Sequence, residues 1–377
     1  MQALTGLLVV SVEQAVAAPL CTARLAEAGA RVIKIERPEG DFARGYDTAA
    51  KGDSAYFVWA NQNKESVVLD YKQPADNALL HTLIAKADVF VQNLSPGTLQ
   101  RAGFGSADLR ARHPRLITCD ISGYGETSAA TDMKAYDFLV QAESGLVSVS
   151  GGPTELGRIG VSVCDIGAGL SAHAGILEAL LYRSVSSVGT GVKVSLFDVA
   201  ADWMTVPFLQ SEYGQGAPAR QGLQHCSIAP YGAYQTADKA LTILSIQNER
   251  EWQRLCETVL FLPELVNDPR FYSNTQRVQN RADMDQKLNA VFITLTASEL
   301  RMRLLDASIA FGALNDVAGL ARHKALRLRH TMTSTGQQVA LPALPVQFTH
   351  MTNPKVHAVP GLGDATDRVW AEFEAQK

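Results

Sequence analysis

The stretch VCDIGAGLSAHAGILEAL (163–180) sets one carboxylate, Asp165, between a short apolar run ending at Cys164 and a helical stretch whose early residues are nearly all small. Two chemistries fit that placement. Aspartate is a good helix N-cap, because its carboxylate accepts backbone N–H bonds from the first turn. The same position suits covalent catalysis. A carboxylate at a helix N-terminus is expected to stay ionised, at or below its ordinary pKa of about 3.9, and an ionised carboxylate attacks a carbonyl carbon as a nucleophile. Gly167 and Gly169 would let a substrate approach the backbone. Unspent N–H groups of the first turn would stabilise an oxyanion. The small residues at 168, 172 and 175 equally suit tight helix packing, and residue types alone do not separate these readings.

A second set of candidates is basic. Arg37 and Lys72 each follow a predicted strand, Arg101 lies beyond the strand ending near Gln92, and Lys134 precedes the pair Tyr136–Asp137. Arginine forks and lysine ammonium groups match an extended anionic ligand carrying phosphates. Taken singly, each is equally a solvated surface charge. The eight histidines show no ligand spacing. His173 falls within the apolar helix after Asp165 and reads as a core or interface residue; His225 sits in an aromatic- and glycine-rich loop.

These groups need a scaffold, and the first third of the chain alternates strand and helix signals. Strands are expected at 7–12, 30–36, 66–71, 88–93 and 115–125, with helices from Pro19 to Ala28, ending at Gly29, and from about Pro74 to Ala87. That rhythm predicts an α/β fold with a parallel sheet. Ligands on such sheets bind beyond the carboxyl ends of the strands, which directs attention to the segments after Val12, Ile35, Val91 and Ile121. A helix over 166–183 follows. Beyond about 210 the texture changes to a loop (212–224), a hairpin (229–246) turning at Ala237–Lys239, and amphipathic helices at 248–259 and 297–309. A second, smaller α+β domain is therefore expected over 225–320. PALPVQFT (342–349) reads as a returning strand and 361–377 as a terminal helix.

Composition narrows the classes. The 377 residues are 46% hydrophobic and 19% charged, which suits a soluble globular protein of more than one domain. A net charge of −4 gives no reason to expect nucleic acid or an anionic membrane as partner. No apolar run is expected to reach the roughly 18 residues that a spanning helix needs. No GxGxxG follows the first strand, where SVEQAVAAP stands instead, and neither a Walker A sequence nor HExxH is present. The five cysteines are scattered without a CxxC pair, so no zinc site or disulfide framework is expected, and free thiols point to the cytoplasm.

Longer stretches carry a resemblance. GARVIKIERPEGDFAR (29–44), ANQNKESVVLDYK (60–72), ADVFVQNLSPGTLQRAGFG (87–105), ISGYGETS (121–128), AYDFLVQAESGLVSVSG (135–151), VCDIGAGLSAHAGILEAL (163–180), APYGAYQTAD (229–238), NDPRFYSNTQRVQNR (267–281) and PGLGDATDRV (360–369) run nearly end to end. In this order they resemble the class III CoA-transferases, the family of carnitine CoA-transferase and formyl-CoA:oxalate CoA-transferase. The resemblance implies an acyl-CoA:carboxylate CoA-transferase whose nucleophile falls on Asp165. Its carboxylate would form first an aspartyl-acyl anhydride and then an aspartyl-CoA thioester. CoA-contacting basic positions would fall on Arg37, Lys72, Arg101 and Lys134, and Tyr136 would lie at the same site. The implied fold is an interlocked homodimer. Its Rossmann-like, CoA-binding large domain would begin with 1–200, and the segment 325–377 would return to it past the small domain. Acyl-CoA and a carboxylic acid would be substrates, with no permanently bound cofactor and no metal.

The sequence also departs from that family. Its N-terminal motif reads E-Q-A-V-A-A-P here (13–19), so Gln14 and the backbone at Ala15–Val16 are expected to take over part of the CoA-tail contact. The glycine-rich loop that covers the intermediate in the formyl-CoA enzymes has no counterpart; GLQHCSIAPYG (222–232) is the nearest stretch. That favours a short dicarboxylate other than oxalate as acceptor. One alternative within the fold, α-methylacyl-CoA racemase, uses a histidine where Tyr136 stands, and a phenol with a pKa near 10 is a poor base at neutral pH. The other alternative is a CoA-binding relative without catalysis.

Overall fold

The computed structural model describes residues 2–126, 129–214, 216–350 and 357–374. Thr127 and Ser128 of the stretch 121–128, and residues 375–377 of the expected terminal helix, lie outside these residues. Six strands form the central sheet: β1 (Leu8–Val12), β2 (Arg31–Glu36), β3 (Lys64–Val68), β4 (Val89–Gln92), β5 (Ile117–Ser122) and β6 (Gly191–Ser195). Their order is β3-β2-β1-β4-β5-β6, and every pairing is parallel. Val10 sits between Ile33 of β2 and Phe90 of β4.

The near-continuous apolar character of these strands follows from burial on both faces. Successive side chains point to opposite sides. Val9 and Val32 join a core with Ala18, Cys21 and Leu25 of the helix Ala17–Glu27 and with Ala172 and Ile176 of the helix Val163–Ser186. Val10 and Ile33 join the opposite core, with Leu80 and Leu83 of the helix Pro74–Lys86 and Val369 and Phe373 of the helix Thr366–Glu374. Gly29 ends the first helix at φ +104, the left-handed conformation expected of a glycine stop.

The chain divides into two compact units, one of residues 1–146, 158–206 and 327–377 and one of 147–157 and 207–326. The central sheet belongs to the first. Residues 207–224 and 147–157 group with the second, and there Arg220 donates to the carbonyls of Gly152 (3.0 Å), Ser148 and Pro153. That unit contains the antiparallel sheet β7 (Tyr231–Gln235), β8 (Leu241–Ser245) and β9 (Ala310–Ala313), closed over a core that includes Trp252, Phe271 and Phe292. Two further strands, β10 (Leu328–Met332) and β11 (Gln338–Pro342), form a separate hairpin in the first unit. The strand expected at 342–349 is thus displaced: it ends at Pro342 and pairs with β10 rather than joining the sheet.

The helix Val163–Ser186 corrects another expectation. An 18-residue window within its 24 residues has a mean hydropathy of 1.2, enough by length and composition alone to cross a membrane. Its small residues instead form a packing face inside the unit. A methyl group at 167 would lie 2.5 Å from the Trp203 ring, and one at 169 would lie 2.5 Å from the Ala17 carbonyl oxygen and 3.2 Å from Leu20 Cβ. The glycines therefore seat the helix on its neighbours, and the reading in which they admit substrate to the backbone is not needed. Helix propensity favours alanine over glycine by about 1 kcal/mol. Because the obstacle at 169 is backbone, we expect the opposite sign for Gly169→Ala, a loss of about 1–3 kcal/mol from overpacking. The urea midpoint reads this directly, and a midpoint at or above wild type would refute the packing account.

Candidate active site

Asp165 is the third residue of the helix Val163–Ser186, not its cap. The cap residue, Ser162, makes no side-chain hydrogen bond. The cap comes from another element. Asp137 opens the helix Asp137–Glu143, is 8% exposed, and turns its carboxylate onto the start of the long helix. Its Oδ1 accepts the N–H of Cys164 at 2.8 Å and that of Asp165 at 3.4 Å, and its Oδ2 accepts from Gln141 Nε2 at 2.7 Å. Gln141, one turn along the same helix face, also accepts the N–H of Ile159 at 2.9 Å. Asp137 and Gln141 together fix the approach to the long helix.

Two consequences correct the sequence reading. First, the N-terminal N–H groups are spent. Val163 donates to the Val161 carbonyl, Cys164 and Asp165 to Asp137, and Ile166 to the Ser162 carbonyl. The first turn therefore has no free donor for an oxyanion. Second, Asp165 does not titrate low. Burial, with the Asp137 carboxylate as second cause, pushes it up to about 7. A rise of that size is worth about 4 kcal/mol, so desolvation and like charge outweigh a helix-dipole contribution of at most about 2 kcal/mol. Among the described residues, no hydrogen bond reaches the Asp165 carboxylate.

The surroundings add groups that residue spacing did not single out. Tyr46 ends the short turn Phe42–Gly45 and is 46% exposed. Burial raises its pKa to about 12, with further contributions from the charges of Asp41 and Asp165 and from Tyr136 and Tyr56. Tyr46 is therefore a neutral donor close to Asp165. Its ring meets Tyr56 edge-on at 5.4 Å. The thiol beside the candidate nucleophile does not compete with it: burial, followed by Asp137 and Asp165, pushes Cys164 up to about 12.

The sequence-derived residues distribute as follows. Gln14 and Ala15 form the turn after β1, where Asn93, just past β4, brackets Gln14 by accepting its N–H and donating to its carbonyl, both at 2.9 Å. Arg37 follows β2 and donates to the Gly40 carbonyl at 2.9 Å. Lys72 is exposed beyond β3, and Arg101 is exposed at the end of the short helix after β4. Lys134 and Tyr136 are exposed on the segment brought against the end of β5, where Gly123 leaves room for Ala135. All of them thus lie past carboxyl ends of parallel strands, on the edge where such sheets take ligands. His173 is half-buried near Arg24 and Glu27, and burial lowers its pKa. In the second unit His225 stacks on Tyr231 at 5.3 Å. Among the described residues no group of His, Cys, Asp and Glu side chains is arranged to hold a metal.

Residues 4–366 match the model of CoA-transferase family III. An acetyl-CoA:oxalate CoA-transferase from Acetobacter aceti is 34% identical, over 94% of this chain and 91% of that protein. A succinyl-CoA:glutarate CoA-transferase from Mus musculus is 31% identical, over 99% and 86% respectively. Among solved structures, a CaiB/BaiF family protein from Brucella suis superposes with a TM-score of 0.84 at 28% identity, covering 99% of each chain. A parallel sheet with its basic residues and an unbonded carboxylate on one edge thus coincides with likeness along the whole chain, and the protein belongs to CoA-transferase family III, as an acyl-CoA:carboxylate CoA-transferase.

Proposed function

We propose that Asp165 carries, in turn, the acyl group and the CoA sulfur. Its ionised carboxylate attacks the thioester carbonyl carbon, the C–S bond breaks, and CoA leaves as a thiolate from an aspartyl-acyl anhydride. The thiolate attacks the aspartyl carbonyl carbon of that anhydride, releasing the donor acid as its carboxylate and leaving an aspartyl-CoA thioester. The acceptor carboxylate repeats both steps in reverse order and departs as the new acyl-CoA. Each step exchanges one anion for another, so no base and no resident cofactor is needed; CoA enters only as part of the substrate. The observation that carries this reading is a carboxylate held at a fixed helix position with no hydrogen bond to blunt it.

The rest of the site follows from that role. Arg37, Lys72, Arg101 and Lys134 bind the phosphates of CoA, Gln14 and Ala15 face its pantetheine tail, and Tyr136 with Tyr46 borders the reacting carbonyl. The acceptor is a short dicarboxylate; the relatives include enzymes named for oxalate and for glutarate, so the lack of a glycine-rich loop is no ground for setting oxalate apart. The first unit is the Rossmann-like CoA domain, to which 327–377 returns, and the second is the small domain. Two copies of the chain assemble as an interlocked homodimer. Large apolar side chains left open along the long helix support a second copy, among them Leu181 and Val185, the latter 89% exposed. Five free cysteines favour the cytoplasm.

Two experiments test the mechanism. Asp165→Ala removes the nucleophile, and exchange of CoA between donor thioester and acceptor acid should fall by at least about a thousandfold, while hydroxylamine no longer traps a modified aspartate. Exchange at the wild-type rate ends the proposal. The second experiment concerns pH. The reactive form of Asp165 is the anion, so kcat/KM for the donor should fall as pH drops below about 7 and level off above it. Asp137→Asn keeps an acceptor for Cys164 N–H and removes the neighbouring charge. Its profile should move to lower pH, with a midpoint between 3.8 and about 7 because burial remains. A profile unmoved by Asp137→Asn would show that the two carboxylates do not interact.

A further inference from the structure

We infer that Asp41 is a positioning residue that presents the Gln14–Ala15 turn to the acyl-CoA. This deepens the site proposed above and rests on it for the role of that turn. The Asp41 carboxylate is fully buried. Its Oδ1 accepts the N–H of Ala15 at 3.0 Å and that of Ala43 at 2.9 Å, and its Oδ2 accepts from Lys34 Nζ at 2.7 Å. One side chain therefore holds two segments of the site. It ties down the turn after β1, and it caps the Phe42–Gly45 turn that ends at Tyr46.

The Ala15 bond has a specific task. Ala15 lies at φ +65, a left-handed conformation that a residue with a Cβ adopts only when its surroundings impose it. Asn93 fixes Gln14 from one side and Asp41 fixes Ala15 from the other. Asp41 is itself immobilised by a buried ionic network. Lys34 Nζ also donates to Asn61 Oδ1 at 2.9 Å and lies 3.8 Å from Glu13. Lys64 Nζ bonds Glu13 at 2.7 Å, Asn61 at 3.1 Å and the Pro19 carbonyl at 2.8 Å. Glu13 takes the Thr22 hydroxyl at 2.7 Å. Such networks seldom add stability over well-packed apolar residues, and in some proteins they restrict conformation instead. Here the conformation restricted is that of the turn between Glu13 and Val16.

Two variants test this. Asp41→Asn removes the charge that faces Lys34 and weakens the hold on Ala15. Replacing Ala15 by its α-hydroxy acid analogue deletes the N–H that Asp41 accepts, weakens the Gln14 carbonyl that Asn93 holds and leaves every side chain in place, so it tests the hold on this turn if Asp41→Asn fails to melt cooperatively. For a folded variant, kcat/KM for the acyl-CoA donor should fall about tenfold, the loss of one hydrogen bond to a charged acceptor. kcat/KM for the acceptor acid should stay within about twofold, because CoA is by then covalently attached. A merely structural fault lowers active enzyme and scales both ratios equally. The affinity for free CoA by calorimetry should weaken by the same factor, and that measurement needs no turnover. Folded variants with wild-type donor kinetics and CoA affinity overturn the role of Asp41. Wild-type protein that binds CoA and exchanges none overturns the Asp165 mechanism while the affinity comparison still judges Asp41; wild-type protein that binds no CoA overturns both.

Discussion

The carboxylate of Asp137 sets the hydrogen bonding at the start of the helix that carries Asp165 and, after burial, is the second cause of that residue's raised pKa. A helix start presents N–H groups that any nearby carboxylate will take, and Asp165, inside the first turn, is well placed to take them. Asp137 takes them instead. It thereby satisfies the buried end of the long helix and leaves the Asp165 side chain without a hydrogen bond. It also places a second negative charge beside the first, in a region too dry to screen it. Structural capping and the proposed nucleophilic role, competing uses of one aspartate in the bare sequence, thus fall on two, the cap on Asp137 and the proposed role on Asp165.

That division works only because the helix itself is held. Gly169 brings its backbone against Ala17, at the start of the helix that follows β1 and the Gln14–Ala15 turn. Gln14 in turn is clasped by Asn93 at the end of β4. β1 lies between β2 and β4; the chain builds outward from β1 through β2 to β3 on one side and then crosses back to β4 on the other, so the crevice at its carboxyl end is where an open parallel sheet can admit an extended ligand. The candidate nucleophile, the turn and the strand reversal are one mechanical assembly, connected through backbone contacts that a single added methyl would disturb.

Much of this assembly was legible in the residues. Strand runs such as LVVSV and the helix Pro74–Lys86, with proline at its start, follow from local pattern, and the strand-end placement of Arg37, Lys72 and Arg101 follows from the α/β rhythm. What stayed hidden depended on contacts distant in sequence. Asp137 and Asp165 are 28 residues apart, and the only local hint of the cap was the four-residue spacing of Asp137 and Gln141 on one helix face. Asp41 looks from sequence like an ordinary turn aspartate; its partners Ala15, Lys34 and, through Lys34, Asn61 come from three other segments. Tyr46 had no signal of its own. The pKa of Asp165 was misjudged because the helix-end effect is visible in sequence and burial is not. The β10–β11 hairpin was missed in part because a short apolar run such as PALPVQFT carries no information about which strand it will pair with.

The raised pKa of Asp165 bears directly on the proposed chemistry. A carboxylate displacing a thiolate from a thioester is an uphill exchange when the attacking oxygen is a much weaker base than the sulfur it expels. With an ordinary aspartate near 3.8 and a thiol near 8.5, the mismatch is about five units. At about 7 it shrinks to about one or two. Burial and the Asp137 charge, which destabilise the anion at rest, are relieved once that charge passes into the anhydride and out to the sulfur. In the proposed mechanism the same desolvation that costs the folded protein energy would thus lower the barrier to the first covalent step, a ground-state effect that disappears as the charge moves away. A carboxylate tied into its own helix cap would have had a low pKa, more stability and little reason to attack.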